Sequence, residues 1–171
     1  IGIAVSNTDS PGTNILTSVP EQTVAEKHFS QMTAGNIMKM SYMHPELNTF
    51  TFTDADAFVA YAKSKNISVH AHTLFWHADY QVPNFMKNWA GTTEEFLTML
   101  DTHVTTLVDH FEASHNIASW DVVNEALTDA NPSDFRKNSP FYIKSGNSPV
   151  FIERAFLAAR AADANVDLYY N

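Results

Sequence analysis

Hydrophobic positions along this chain follow two alternating patterns. Short apolar runs are typical of buried strands. They occur at 1–5, 36–40, 67–76, 118–126 and 166–170. Between these runs, apolar residues recur every three or four positions, which is typical of amphipathic helices. Such helices are predicted over 20–33, over 55–64, from Thr92 or Thr93 onward, and over 150–162.

Details of three segments add to this picture. The long helix beginning at Thr92 or Thr93 carries an apolar stripe of Phe96, Leu97, Leu100, Val104, Leu107, Val108 and Phe111. The helix over 20–33 is predicted from Pro20, with Val24, His28 and Met32 at four-residue spacing. Asp54 is the expected cap of the helix over 55–64. The polar stretch 128–149 is predicted to be a loop.

Strands that alternate with amphipathic helices indicate a parallel sheet with right-handed crossovers. No glycine-rich phosphate loop follows the first strand, which argues against a nucleotide-binding open sheet. Polar residues at the ends of several strands favour a (β/α)8 barrel, which needs about 250 residues. We therefore expect residues 1–171 to be the N-terminal portion of one barrel domain, about five strands and four helices, within a longer chain.

Composition narrows the class of partner. The chain has 19 acidic and 10 basic residues and a formal net charge of -9. This balance argues against nucleic-acid or anionic-membrane binding, which needs clustered lysine and arginine. It fits an uncharged polymer. The absence of cysteine excludes disulfides, thiolate metal sites and a cysteine nucleophile.

The segment from Trp120 to Leu127 is the most informative stretch. It is predicted to be a buried strand that ends in the pair Asn124-Glu125. Catalytic groups of parallel barrels lie at the carboxyl ends of strands. A glutamate there, beside an asparagine that can bind a sugar hydroxyl, is a candidate proton donor for glycoside cleavage. The alternative is a structural acid paired with a lysine.

Two further strand ends carry candidate binding residues. Asn36 and Lys39 differ by three positions, so they share the barrel mouth only if the strand bends or ends between them. Lys39 is otherwise a snorkelling side chain. Trp76, Tyr80 and Phe85 offer aromatic faces on which sugars stack, although such residues also serve as core.

His70 and His72 form an H-x-H pair on one strand face and support a rival hypothesis. Residues i and i+2 on a strand share a face, so this pair could hold a divalent metal. The alternative is a pair of core histidines whose ring nitrogens are satisfied by carboxylates, with Asp121 as a candidate neighbour. The other histidines (28, 44, 103, 110 and 115) are interpreted as surface or packing residues.

Four segments taken together resemble glycoside hydrolase family 10, the endo-β-1,4-xylanases. They are Asn36 to Lys39, His70 to His77, Trp120 to Ala126, and Leu168 to Asn171. The match is colinear and covers essentially the whole chain. The resemblance implies an eight-stranded (β/α)8 barrel that cuts xylan internally with retention of anomeric configuration.

By that resemblance, Glu125 is the general acid/base and Asn124 binds the 2-hydroxyl of the sugar in the −1 subsite. His72 and Trp76 line the same subsite. The family's nucleophile is a second glutamate on the seventh strand, and no residue here matches it. No cofactor or metal is implied.

The resemblance also places Asn36, Lys39 and Gln81 against the sugars on the non-reducing side. The family usually has a glutamate just before the Asn-x-x-Lys segment, where this chain has Gly35. That acid contacts the sugar in the −2 subsite, so we expect this subsite to be weak. Tyr80, in the loop after the third strand, is expected to crowd the same region.

The expected partner is xylan or a xylo-oligosaccharide, with neither nucleic acid nor membrane involved. We expect a monomer that is secreted, periplasmic or on the cell surface, and leave open whether carbohydrate-binding modules are attached. Three alternatives stay open: a metal-dependent barrel hydrolase using His70 and His72, a retaining glycosidase acting on another β-1,4-glycan, and a non-catalytic glycan-binding barrel.

Overall fold

The computed structural model describes residues 1–6 and 14–171. This part of the chain forms a five-stranded sheet in the order β1-β2-β3-β4-β5, with every neighbouring pair parallel. The strands are β1 (Gly2–Val5), β2 (Gln31–Ala34), β3 (Ser68–Trp76), β4 (Ile117–Asn124) and β5 (Asp167–Tyr170). The helices are α1 (Val19–His28), α2 (Met40–Met43), α3 (Thr53–Ser64), α4 (Asn84–Lys87), α5 (Thr93–Glu112), α6 (Pro140–Lys144) and α7 (Val150–Ala162).

Helix α5 anchors the helical layer. All seven residues of its predicted stripe are buried, and the helix contacts both β3 and α7. Burial of one such large apolar side chain contributes about 1.5–3 kcal/mol. Its start is fixed by a capping box: Glu95 N–H donates to Thr92 Oγ1 at 3.2 Å, and Thr92 N–H donates to Glu95 Oε2 at 2.7 Å. The predictions for this helix are confirmed.

The prediction for residues 29–40 is wrong. Helix α1 ends at His28, and Met32, predicted on that helix, lies buried on β2. Met32 pairs with Ile3 on one side and Val69 on the other, so strand pairing overrides the helical spacing. Val24, the first residue of that four-residue spacing, lies on α1 and is 48% exposed.

The apolar run at 36–40 is a turn that leads into α2 rather than a strand, with Lys39 N–H donating to Asn36 O at 2.8 Å. Its apolar residues Ile37, Met38 and Met40 are nevertheless buried. A short apolar run indicates that a segment is buried, but it does not by itself distinguish a strand from a buried turn.

Smaller differences occur elsewhere. Strand β1, predicted to be buried, buries only Val5, because it lies at one end of the strand order and pairs with β2 alone. Asp54 lies in the first turn of α3, and Phe52 occupies the N-cap position without a side-chain bond. The polar loop after β4 contains the short helix α6, which is capped by Ser139.

Parallel pairing brings the carboxyl ends of the strands to one edge of the sheet. Trp76 at the end of β3 pairs with Asn124 at the end of β4, and Val123 pairs with Tyr170 on β5. Five parallel strands with amphipathic crossover helices are the architecture of part of a (β/α)8 barrel. In the described residues, no helix is long and apolar enough to cross a membrane.

Candidate active site

Glu125 is the first residue after β4 and has a left-handed backbone, with φ of 56°. For a non-glycine residue this conformation costs about 1–2 kcal/mol. Both of its backbone polar groups are bonded: its N–H donates to Asn171 O at 2.7 Å, and its carbonyl accepts from Arg136 Nε at 2.9 Å. Its side-chain Oε2 accepts from Trp76 Nε1 at 2.8 Å. The carboxyl group is therefore held from the adjoining strand end.

Asn124, the last residue of β4, is buried directly before this acid. Its Oδ1 accepts a hydrogen bond from Asn171 Nδ2 at 2.7 Å. That bond assigns the orientation of the amide and leaves the NH2 group of Asn124 as the donor for a ligand.

Asn36 and Lys39 lie together at the same edge because β2 ends before them. Lys39 Nζ donates to Asn36 Oδ1 at 3.0 Å and lies 4.8 Å from the ring centroid of Trp76. Lys39 is buried, so it is not a snorkelling side chain. A desolvated ammonium on an indole face contributes about 2 kcal/mol. Lys39 and Glu125 thus both contact Trp76, the cation through the face of the indole and the acid through its N–H.

His70 and His72 share one carboxylate oxygen. Asp121 Oδ2 lies 3.0 Å from His70 Nε2 and 2.8 Å from His72 Nδ1. Burial raises the pKa of Asp121, but the hydrogen bonds from the two histidines outweigh it and bring that pKa down to about 2. An ionised carboxylate only accepts, so both rings present N–H to it. The interpretation as histidines satisfied by Asp121 is confirmed.

The geometry gives the metal hypothesis no support. His70 Nδ1 is also bonded, to Ser119 Oγ at 2.6 Å. Over residues 1–6 and 14–171, no three histidine, cysteine, aspartate or glutamate side chains are grouped in a way that could hold a metal ion.

Tyr80 and Gln81 follow β3 and differ sharply in environment. Tyr80 is 72% exposed and meets the edge of Trp76 with ring centroids 5.6 Å apart. Gln81 is buried, and its Oε1 accepts from Ser41 Oγ of α2 at 2.8 Å. Phe85 does not join this edge, because it packs on His44 with centroids 4.8 Å apart.

Sequence reasoning missed two residues beside Glu125. Arg136 reaches the glutamate only because the loop after β4 folds back, and no periodicity marks that return. His77 received no role of its own within the segment His70 to His77, yet its Nδ1 is buried without a partner in the described structure. Burial, followed by the charge of Arg136, lowers the pKa of His77 against the opposing influence of Glu125 and Asp129.

A second histidine pair lies under the site, in the helical layer. His44 Nδ1 and His103 Nδ1 are 3.0 Å apart, and His103 Nε2 lies 3.0 Å from Leu74 O. Because a carbonyl can only accept, His103 carries its proton on Nε2, so His44 donates through Nδ1. Burial lowers the pKa of His44 to about 4. Burial, followed by the charge of His44, lowers the pKa of His103 to about 3. Both are packing residues, as predicted.

Comparison with known proteins adds to this geometry. Residues 1–171 match the family model described as glycosyl hydrolase family 10. The chain is 64% identical over 172 residues to the endo-beta-1,4-xylanase Xyn10C of Cellvibrio japonicus, covering 100% of this chain and 28% of that protein.

Two solved structures show the same relationship. A mutant of xylanase 10C from Cellvibrio japonicus in complex with xylopentaose aligns with a TM-score of 0.96 at 63% identity, covering 99% of this chain and 34% of that one. Xylanase 10B from Thermotoga petrophila RKU-1, in complex with xylobiose, aligns with a TM-score of 0.84 at 36% identity, covering 99% of this chain and 48% of that one. The chain spans less than half of each of these proteins. Because the family model matches residues 1–171 of the chain and an acid lies directly after β4, the chain belongs to glycoside hydrolase family 10.

Proposed function

We propose that this chain is the N-terminal portion of a (β/α)8 catalytic domain that hydrolyses internal β-1,4-xylosidic bonds of xylan with retention. The observation that carries the proposal is the Glu125 carboxyl group at the carboxyl end of β4, with Oε2 2.8 Å from Trp76 Nε1 and with Asn124 beside it. The xylanases named above support xylan as the substrate class. A polymeric substrate supports action outside the cytoplasm.

In the proposed mechanism, Glu125 begins protonated and gives its proton to the leaving glycosidic oxygen. Trp76 N–H already donates to Oε2, so the proton of the neutral acid belongs on Oε1. A second carboxylate, from a part of the barrel outside residues 1–171, attacks the anomeric carbon and forms a covalent glycosyl intermediate. Retaining enzymes hold two such groups about 5–5.5 Å apart.

In the second step, Glu125 acts as a base. It removes a proton from the water that attacks the anomeric carbon, the bond to the nucleophile breaks, and the sugar leaves with its original configuration. The acid is thereby protonated again for the next cycle. Asn124 NH2 is placed to donate to the 2-hydroxyl of the sugar in the −1 subsite, and His72 and Trp76 line that subsite.

Sugars on the non-reducing side contact Asn36, Lys39 and Gln81. The fixed Lys39 ammonium donates to hydroxyl groups of an uncharged sugar without needing a substrate carboxylate. The buried Gln81, held by Ser41, presents its amide from the neighbouring loop.

The −2 subsite is weak because Gly35 supplies no side chain there. The backbone accepts one: a Cβ built at Gly35 meets only Val5 O, at 3.4 Å. The side chain is therefore absent because position 35 is a glycine, and not because the backbone leaves no space for one. Tyr80 lies exposed beside Trp76, and we expect it to narrow the same region.

The proposal is tested by following xylohexaose hydrolysis by the complete enzyme with proton NMR. The first new reducing end is expected in the β configuration, with cleavage at internal bonds. An α-configured first product, or release of single terminal xyloses only, would overturn it.

A further inference from the structure

The loop after β4 folds back onto the residue that ends the strand. Leu127 and Phe135 form an antiparallel bridge, and Arg136 N–H donates to Ala126 O at 2.8 Å. This register places the Arg136 side chain beside Glu125 and leaves it only partly exposed, at 18%.

The guanidinium of Arg136 makes two contacts with separate consequences. Nε donates to Glu125 O at 2.9 Å, and Nη2 donates to Asp129 Oδ2 at 2.8 Å. The carbonyl that it holds follows the left-handed Cα of Glu125. Since the N–H of the same residue is held by Asn171, peptide groups on both sides of the glutamate are fixed.

Asp129 is the second partner of this guanidinium. The hydrogen bond and charge of Arg136 lower the pKa of Asp129, so the carboxylate stays ionised and continues to accept from Nη2. The guanidinium is therefore held at one end by Asp129 and at the other by the Glu125 carbonyl.

We propose that Arg136 is a positioning residue for Glu125, and that Asp129 holds the Arg136 guanidinium in the orientation that this role needs. The inference rests on the acid/base role proposed above. It assigns the geometry of the acid to the Nε contact and the orientation of the guanidinium to the Asp129 contact.

The Asp129 contact is tested with Asp129→Asn in the complete enzyme. The side chain of Asp129 is 91% exposed, so the fold is expected to tolerate the change. Because an ion pair with an exposed partner is weak, kcat on xylohexaose should fall by about two- to fivefold with little change in KM. The double variant Asp129→Asn/Arg136→Gln should lose no more than Arg136→Gln alone.

Asp134→Asn is the matched control. Asp134 lies exposed in the same loop and bonds Asn131 instead of Arg136, at 2.9 Å. Asp134→Asn removes the same charge and should leave kcat unchanged. A wild-type kcat in Asp129→Asn, or an equal loss in Asp134→Asn, would overturn the role assigned to Asp129.

The positioning role is tested with Arg136→Gln. We expect kcat on xylan to fall by about tenfold or more while KM changes by less than about threefold, because the acid is misplaced but the sugar contacts remain. A dinitrophenyl xylobioside, whose leaving group needs no proton, should lose less in the glycosylation step. Circular dichroism melting establishes that the variant is folded.

Unchanged kcat in folded Arg136→Gln would refute the positioning role. The variant Glu125→Ala distinguishes failure of this inference from failure of the proposed function. Full xylan turnover in Glu125→Ala would refute the acid/base role itself. If Glu125→Ala is inactive while Arg136→Gln and Asp129→Asn behave as the wild type, only the present inference is refuted.

Discussion

Trp76 and Glu125 face each other across two adjoining strand ends, with Nε1 of the indole 2.8 Å from Oε2 of the carboxyl group. Register produces this contact, because Trp76 pairs with Asn124 and thus stands opposite the residue before the acid. One face of the indole carries the Lys39 ammonium. Trp76 thereby connects the proposed acid to Lys39, one of the proposed sugar-binding residues.

Trp76→Phe removes the N–H donor and keeps an aromatic ring under Lys39. A hydrogen bond to a charged group contributes about 1.5–3 kcal/mol, so kcat on xylan should fall about 10–100-fold. The control is Trp89→Phe, since the buried Nε1 of Trp89 has no partner in the described structure. Equal effects of the two changes would contradict the assigned contact.

Glu125→Ala should reduce xylan turnover by about 10²–10⁴-fold, the usual contribution of a general acid/base. Glycosylation by a dinitrophenyl xylobioside should be largely spared and appear as a burst of dinitrophenolate. Glu153→Ala, on the exposed face of α7, is the control and should behave as the wild type. Near-normal xylan turnover in Glu125→Ala would rule out the role.

Gly35→Glu should restore a −2 contact. A charged hydrogen bond of about 1.5–3 kcal/mol predicts a gain of about 10–100-fold in kcat/KM on xylotriose, with little change on xylan. Gly35→Ala adds only the Cβ, which meets nothing closer than Val5 O at 3.4 Å, and should give no gain. If Gly35→Glu leaves the cleavage of short oligosaccharides unchanged, the weak subsite has another cause.

The buried His44–His103 pair predicts loss of stability in acid. The pKa of His44 falls to about 4 and that of His103 to about 3 on folding, whereas the unfolded chain titrates near 6.5. The unfolded state therefore binds more protons, and the free energy of unfolding should fall as pH drops from about 6.5 toward 4, by an amount on the order of 2–3 kcal/mol for each histidine.

Urea unfolding at several pH values measures that slope. His44→Phe should reduce it, because the new ring fits beside Phe50, which already stacks on His44 at 4.0 Å. His28→Gln, on the exposed end of α1, is the control. An identical slope in His44→Phe and the wild type would show that other groups govern acid unfolding.

Removal of metal tests the alternative of a metal-dependent hydrolase that uses His70 and His72. Because both His70 and His72 are bonded to Asp121, we expect xylan hydrolysis to persist unchanged after dialysis against EDTA. Activity that disappears with the chelator and returns with zinc would favour the metal-dependent hydrolase.

Strand-end chemistry was predictable from sequence, because residues such as Trp76 and Asn124 directly terminate long apolar runs. The stripe of α5 was predictable for a related reason, because its period repeats along a helix of 20 residues. Met32 was misplaced because four-residue spacing in a short segment fits a helix, while pairing with Ile3 and Val69 decides the outcome. The contact of Arg136 with Glu125 could not be predicted, because it depends on how the polar loop after β4 folds back onto the strand end.

Asn171, directly after β5, makes the geometry of the site depend on how this segment packs against β4. Its carbonyl holds the N–H of Glu125, its own N–H donates to Val123 O at 3.1 Å, and its amide orients Asn124. A one-residue slip of this segment against β4 would remove all three bonds together. Packing of β5 against β4 and positioning of the Glu125 carboxyl group are thus one cooperative event. An early folding species without that strand contact should lack a positioned acid even with β1 to β4 in place.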